Sequence, residues 1–95
     1  MEEFKFQWDE AKAARNLIKH GVSFLIAVEI FEGPIVERID DRENFGELRF
    51  IALGRVEFEI YRVVFTSRGS TVLRIISARK ASKHEREIYY RNIFS

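Results

Sequence analysis

Ninety-five residues with nine Phe and a 46% hydrophobic share can build one modest core, so residues 1–95 read as a single domain. The chain has no cysteine, which excludes disulfides, thiolate metal sites and thiol nucleophiles, and its acidic, alternating start and lack of a long apolar run exclude a signal peptide and a membrane span, so a cytoplasmic protein with no membrane partner is expected. The net charge of +1 hides an asymmetry, because residues 1–48 hold six Lys/Arg against eleven Asp/Glu (−5) and residues 49–95 hold ten against four (+6); the basic half is either a localised anion-binding face or an ordinary solvated surface.

Phe4, Phe6 and Trp8 alternate with polar residues, which predicts a short strand with one aromatic face. Asp9 caps a helix on which Ala11, Ala14 and Ile18 share a side with Leu17 beside them, and Gly21 ends it. Ser23 caps a second helix whose core stripe is Phe24, Val28 and Phe31, stopped by Gly33-Pro34. Strands follow: Ile35–Ile39, then a polar loop over 40–46, Arg49–Leu53 closed by Gly54, and Phe58–Thr66. A turn over 67–70 leads to Val72–Ala78 and makes a hairpin of the last two. Ser82 followed three residues later by Glu85 has the capping-box form, and Tyr89/Ile93 and Tyr90/Phe94 repeat at i, i+4 down a final helix. The order β-α-α-β-β-β-β-α predicts an α+β fold, a mainly antiparallel sheet with helices on one face.

The chemical inventory is narrow. His20 and His84 have no partner at metal-ligand spacing, so no metal and no cofactor is expected. Asp40, Asp41 and Glu43 either hold a divalent ion or form a solvated acidic loop. Glycine-rich phosphate loops and nucleotide fingerprints are missing. Arginine remains: Arg49, Arg55, Arg62, Arg68, Arg74 and Arg79 all fall in the strand region or its turns. Arg74 interrupts the apolar run Val72–Ala78, where a charge is costly unless paired or open to solvent. Either it pairs with a carboxylate such as Glu47, Glu57 or Glu59, or it lines an uncovered sheet face and holds a phosphate through its two-pronged guanidinium. Arg79 and Lys80 close that strand just before a helix N-terminus, which attracts phosphate, or are plain surface charges. Lys19 and His20 end the first helix, where cations are stabilising in themselves. A sheet face carrying arginines, a glutamate and a histidine has the parts for metal-free RNA cleavage, namely cations for the phosphorane, a base for the ribose 2′-hydroxyl and support for the leaving oxygen. A simple RNA-binding domain would share those parts.

Phe6-Gln7-Trp8-Asp9, Ala11-Lys12-Ala13-Ala14, Asn16-Leu17 and Lys19-His20-Gly21-Val22-Ser23-Phe24 resemble the opening of BrnT-family toxins. Gly46-Glu47, Arg49-Phe50, Leu53-Gly54, the block Arg74-Ile75-Ile76-Ser77-Ala78-Arg79, and Glu85-Arg86 with Tyr89 resemble the rest, so the similarity runs along nearly the whole chain. It implies a RelE-like ribonuclease fold and a cytoplasmic toxin neutralised by a BrnA-type antitoxin, with the pair repressing its own operon through the antitoxin's contacts to operator DNA. With the chemistry above it implies Arg49, Arg74 and Arg79 as phosphate and transition-state contacts, Glu47 as base or arginine orienter, His20 as an auxiliary acid, and Lys19, Arg68 and Lys80 as RNA contacts. At Ser67 the chain departs from the Thr-Glu-Arg common in the family. A catalytic role for that glutamate would be missing here; a pairing role would change nothing. The alternative is a catalytically weak module that binds the antitoxin or RNA without toxin activity.

Overall fold

The computed structural model describes residues 3–42 and 44–94. Strand β1 (Lys5–Gln7) leads to α1 (Glu10–His20) and α2 (Phe24–Glu29), which closes in a tight helical turn over Ile30–Glu32. Then come β2 (Ile35–Ile39), β3 (Arg49–Val56), β4 (Glu59–Arg68), β5 (Val72–Lys80) and α3 (Lys83–Ile93). The sheet order is β1-β5-β4-β3-β2, with β1 parallel to β5 and every other pair antiparallel. This is the expected α+β order and a mainly antiparallel sheet. Asp9 and Ser23 cap α1 and α2 through their side chains, Gly21 takes φ 70 at the end of α1, and Ser82 with Glu85 forms the full capping box of α3, each satisfying amides or carbonyls a helix end leaves over.

One sheet face meets α1, α2 and the tight turn. Its core joins Phe24, Ala27 and Ile30 to Ala52, Val63, Phe65, Leu73, Ile75 and Ala78. The expected placement of helices on one face holds for this pair, whereas α3 sits on the opposite face. There Tyr89, Ile88 and Ile93 pack on Val36, Leu53 and Ile60, side chains that alternate with the first set along their strands. α3 packs over the β2–β3 end of that face, and beyond it Ile51, Val64 and Thr66 are still buried.

The β4–β5 pairing shifts register: Phe65 faces Ile75 but Val64 faces Ser77. Ile76 is the extra residue of a β-bulge. Arg74 and Arg79 are five positions apart and would point to opposite sides of a regular strand. The bulge puts both on the open face while Leu73, Ile75 and Ala78 stay in the core. Just beyond it, where β1 no longer covers the β5 edge, Asn16 of α1 takes the place of a strand. Its amide oxygen accepts from the Ala78 N–H at 3.1 Å, and its amide nitrogen donates to the Ala78 and Val22 carbonyls at 2.8 and 2.9 Å.

That edge contact overturns the stripe expected on α1. Ile18 is 86% exposed, and Ala11, Ala14 and Leu17 are exposed as well; the inward residues are Asn16 and Ala13, because a helix laid along a strand edge must answer backbone hydrogen-bonding groups. Gly54 does not end β3 either. It is glycine because a Cβ there would lie 2.5 Å from the Ile30 Cβ. The hairpin turn falls instead at Glu57-Phe58, with Glu57 at φ 55 and Phe58 fully exposed rather than in a strand. In the loop over 40–46, Asp40 is buried and bound by Arg42 at 2.6 and 2.7 Å. The Glu43 of the acidic metal reading lies outside the described residues, and among the described residues no group of three His, Cys, Asp or Glu could hold a metal ion. No helix among them is long and apolar enough to cross a membrane.

Asn16→Ala strands the Ala78 N–H and C=O beside a buried edge, at roughly 1–3 kcal/mol per unsatisfied group. Urea denaturation should show a loss of about 2–4 kcal/mol; a loss below about 0.5 kcal/mol, the scale of an ordinary surface substitution, would mean the clamp is not what holds this edge.

Candidate functional site

On the open face, strand register sets side chains in rows. Arg49, Thr66, Arg74 and Gln7 stand abreast across β3, β4, β5 and β1. Ile51, Val64 and Ser77 form the next row, and Leu53, Arg62 and Arg79 the one after it. Arginines thus flank a mainly apolar row, the two arginine rows about 13 Å apart at the usual strand rise over four residues. Ile51 and Val64 are themselves buried, at 4% and 2% exposed, so what this face offers a polynucleotide is the charge of the flanking arginines.

In the first row Arg49 is gripped from two sides. Its Nε donates to Glu47 at 3.1 Å and its guanidinium lies 4.1 Å over the Phe45 ring. The other Glu47 oxygen accepts from Arg68 at 3.3 Å, so one carboxylate spans two cations. Thr66 donates its hydroxyl to the Leu48 carbonyl at 2.6 Å and anchors that loop to β4. Arg74 donates to the Gln7 amide oxygen at 3.0 Å. The carboxylate partner considered for it, Glu47, Glu57 or Glu59, is not there. Its partner is neutral, because β1 pairs with β5 and brings Gln7 alongside, which leaves the guanidinium charge uncancelled by direct contact.

The last row meets the N-terminus of α3. Glu85 accepts from Arg79 through both oxygens at 2.8 and 3.0 Å, and from the Ser82 backbone N–H at 2.8 Å. Arg62 Nε approaches the same carboxylate at 3.4 Å. Burial alone would raise the Glu85 pKa, but the Arg79 hydrogen bonds, the Ser82 amide and the fields of both arginines outweigh it and hold the carboxyl below its ordinary 4.5. Arg62 is lowered, first by burial and then by repulsion from Arg79. Beside this cluster a cleft of about 310 Å³ opens between α3 and β2–β3, with Val36, Ile51, Leu53 and Ile88 as its apolar walls and Arg38 and His84 at its polar side.

Of the residues singled out in the sequence, Arg49, Arg74, Arg79, Glu47 and Arg68 come together on this face. Lys80 does not: it follows Arg79 in the strand, points the other way and pairs with Glu59 at 3.7 Å. Lys19 and His20 end α1 along the β5 edge, and among the described residues no bond links them to the rows. Ser67 also points away from the arginines, its hydroxyl donating to the Gly69 carbonyl at 2.8 Å and its side chain bordering a cleft with Phe65 and Leu73 on the helix-covered side. Sequence reasoning left out Arg62 as a site residue and took Glu85 only as a cap. Arg62 had the same signal as Arg74, a charge inside an apolar strand. Glu85 had none, since its approach to Arg62 and Arg79 depends on how α3 turns back over the sheet.

A profile of the ribonuclease toxin BrnT of type II toxin–antitoxin systems matches residues 8–85. The chain belongs to the BrnT toxin family. The crystal structure of the ribonuclease toxin BrnT of Brucella abortus is similar over 84% of this chain and 99% of that chain, with 32% identity and a TM-score of 0.64. A comparison with curated proteins finds no match. The family match runs from Trp8 to Glu85 and so takes in every residue of the three rows except Gln7. It supports a ribonuclease toxin that has an antitoxin partner and acts on RNA.

Glu85 gives the groove a pH signature. A carboxylate whose folded pKa lies below its unfolded value contributes stability above the unfolded value, and that contribution fades as pH falls through the folded one. Glu85→Gln keeps the capping box, which accepts Gln, but removes this titration. The stability difference between wild type and variant, measured by urea unfolding from pH 7 downward, should be constant at neutral pH and shrink below about pH 4.5. A difference independent of pH through that window would contradict the ion-pair assignment.

Proposed function

We propose that the chain is a metal-independent endoribonuclease that works by transesterification. The ribose 2′-oxygen attacks the adjacent phosphorus, the bond from phosphorus to the 5′-oxygen breaks, and the products are a 2′,3′-cyclic phosphate and a 5′-hydroxyl. The proton leaves the 2′-hydroxyl and another is taken up by the departing 5′-oxygen. The observation that carries the reading is the pair of arginine rows on one sheet face. Arg49, Arg74 and Arg79 contact the phosphate oxygens and stabilise the charge that builds on the five-coordinate phosphorus. Glu47 orients Arg49 and Arg68 and, as the carboxylate bordering the first row, accepts the 2′-hydroxyl proton. Arg68 extends the phosphate track, and the apolar cleft beside Glu85 is of a size to receive a base. Lys19, His20 and Lys80 lie outside the rows; in this reading they add to the RNA-attracting field rather than to the chemistry. DNA lacks the attacking hydroxyl and is not cut.

Growth inhibition follows from RNA cleavage in the cytoplasm. A BrnA-type antitoxin neutralises the toxin, and the pair represses its operon through the antitoxin's contacts to operator DNA. Family membership supports the antitoxin partner and the RNA target.

The test uses antitoxin-free protein with RNA in EDTA. Wild type should cleave and leave 2′,3′-cyclic ends, while folded Arg79→Ala should be slower by about 10²-fold or more, the scale of losing one transition-state donor. Absence of cleavage on both free and ribosome-bound RNA would contradict the enzyme reading in favour of an antitoxin-binding module, and an unchanged Arg79→Ala rate would remove Arg79 from the chemistry.

A further inference from the structure

The geometry points to Arg62 as a further catalytic residue, one whose guanidinium contacts the reacting phosphate together with Arg79. The inference rests on the ribonuclease reading above. Arg62 is 9% exposed and stands in β4 between Leu53 and Arg79. A guanidinium so placed loses most of its hydration, and a purely structural one recovers that loss by fork-to-fork bonding to a carboxylate. Arg62 has no such bonding. Of the two carboxylates whose charge acts on it, Glu85 gives both its oxygens to Arg79 at 2.8 and 3.0 Å and reaches Arg62 only through Nε at 3.4 Å, and buried Asp40 gives both its oxygens to Arg42 at 2.7 and 2.6 Å. Among the described residues no hydrogen bond ends on its two terminal amino groups, and no fully buried side-chain nitrogen or oxygen lacks a partner, so those amino groups keep some contact with solvent. A sunken stem fixes the head in place, and the four N–H bonds of its terminal amino groups are unspent.

Its neighbours sharpen the assignment. Arg79 pairs directly with Arg62 across the strands, and two like charges side by side repel each other; burial first and this repulsion second lower the Arg62 pKa. Glu85 offsets one unit of charge between them, and the field of nearby Asp40 is opposed by that of its own partner Arg42. The pair therefore keeps a net positive charge aimed at the groove, and an anion with several oxygens, a phosphodiester above all, is the ligand that such a pair lacks. Glu85 acts through the arginines and is a positioning residue.

The inference makes stability and activity change in different directions. Replacing an undercompensated buried charge by an apolar side chain of similar length is neutral or stabilising, whereas removing a partner from a structural ion pair destabilises. Arg62→Met and Arg62→Lys are compared with wild type by thermal unfolding, by cleavage of an RNA oligonucleotide in EDTA, and by binding of the same oligonucleotide with a 2′-deoxy nucleotide at the cleavage position. Arg62→Met should melt at or above the wild-type temperature and cleave about 10²-fold more slowly. Arg62→Lys, which keeps the charge without the fork, should fall between the two in rate. A Met variant that melts lower while its folded fraction cleaves at the wild-type rate would overturn the inference, as would a Lys variant with wild-type activity should the Met variant not fold. If wild type itself does not cleave, the ribonuclease reading fails, and the deoxy oligonucleotide then decides on Arg62 alone: weaker binding by Arg62→Met sustains the phosphate contact and equal binding ends it.

Discussion

A single extra residue in β5 governs how this sheet can be apolar on one side and cationic on the other. Leu73, Ile75 and Ala78 must all reach the core under α1 and α2, and strict alternation cannot place residues 75 and 78 on the same side. The bulge at Ile76 resolves the conflict, and the same shift of phase puts Arg74 and Arg79 together on the open face. Bulges weaken a ladder locally and need support. Here it comes from Asn16, whose amide answers the Ala78 N–H and C=O beyond the reach of β1. Core packing, helix docking and the alignment of the arginines are therefore one constraint.

Gathering Arg49, Arg62, Arg68, Arg74 and Arg79 on one face works against stability, because like charges repel and the strands around them are apolar. The protein offsets this with few carboxylates: Glu47 is shared between Arg49 and Arg68, Glu85 between Arg79 and Arg62, and buried Asp40, bound by Arg42, adds its field at Arg62. Among the described residues, the hydrogen-bond partner of Arg74 is an amide. A face with fewer direct carboxylate partners than arginines is what a polyanion-binding surface requires, and it is the form in which natural proteins accept local instability for function. Placing α3 over only the β2–β3 end is part of the same arrangement. It buries Leu53 and Ile60 beside Tyr89, while the row of Arg49 and Arg74 lies outside that packing.

Much of the architecture was legible from local signals. The caps at Asp9, Ser23 and Ser82 and the glycine at 21 have the structure their sequence pattern implies, because caps depend on neighbours within four residues. The α1 stripe was misread since Ile18 and Leu17 follow helical periodicity, while the helix answers a strand edge that periodicity cannot show. Gly54 and Phe58 were misplaced for a related reason: the glycine is required by contact with Ile30, a residue 24 positions away. Arginine as the site's chemistry was readable from the scarcity of anything else, and Arg74 from its apolar surroundings. The alignment of Arg74 with Arg79 was not, because their odd spacing argues against it unless the bulge is known. The family resemblance covered what physical pattern alone could not reach, and the match over residues 8–85 agrees with it.

The central claim is that arginines from β3, β4 and β5 form one RNA-facing surface, and guanidinium NMR tests it most directly. With a 2′-deoxy-substituted RNA oligonucleotide that binds without being cut, the Nε–Hε resonances of Arg49, Arg74 and Arg79 should shift together along a single titration, while Arg55, which lies behind α3 against Tyr89 and Tyr90, stays unchanged. A response from only one of Arg74 and Arg79, or one centred on Arg55, would contradict the account.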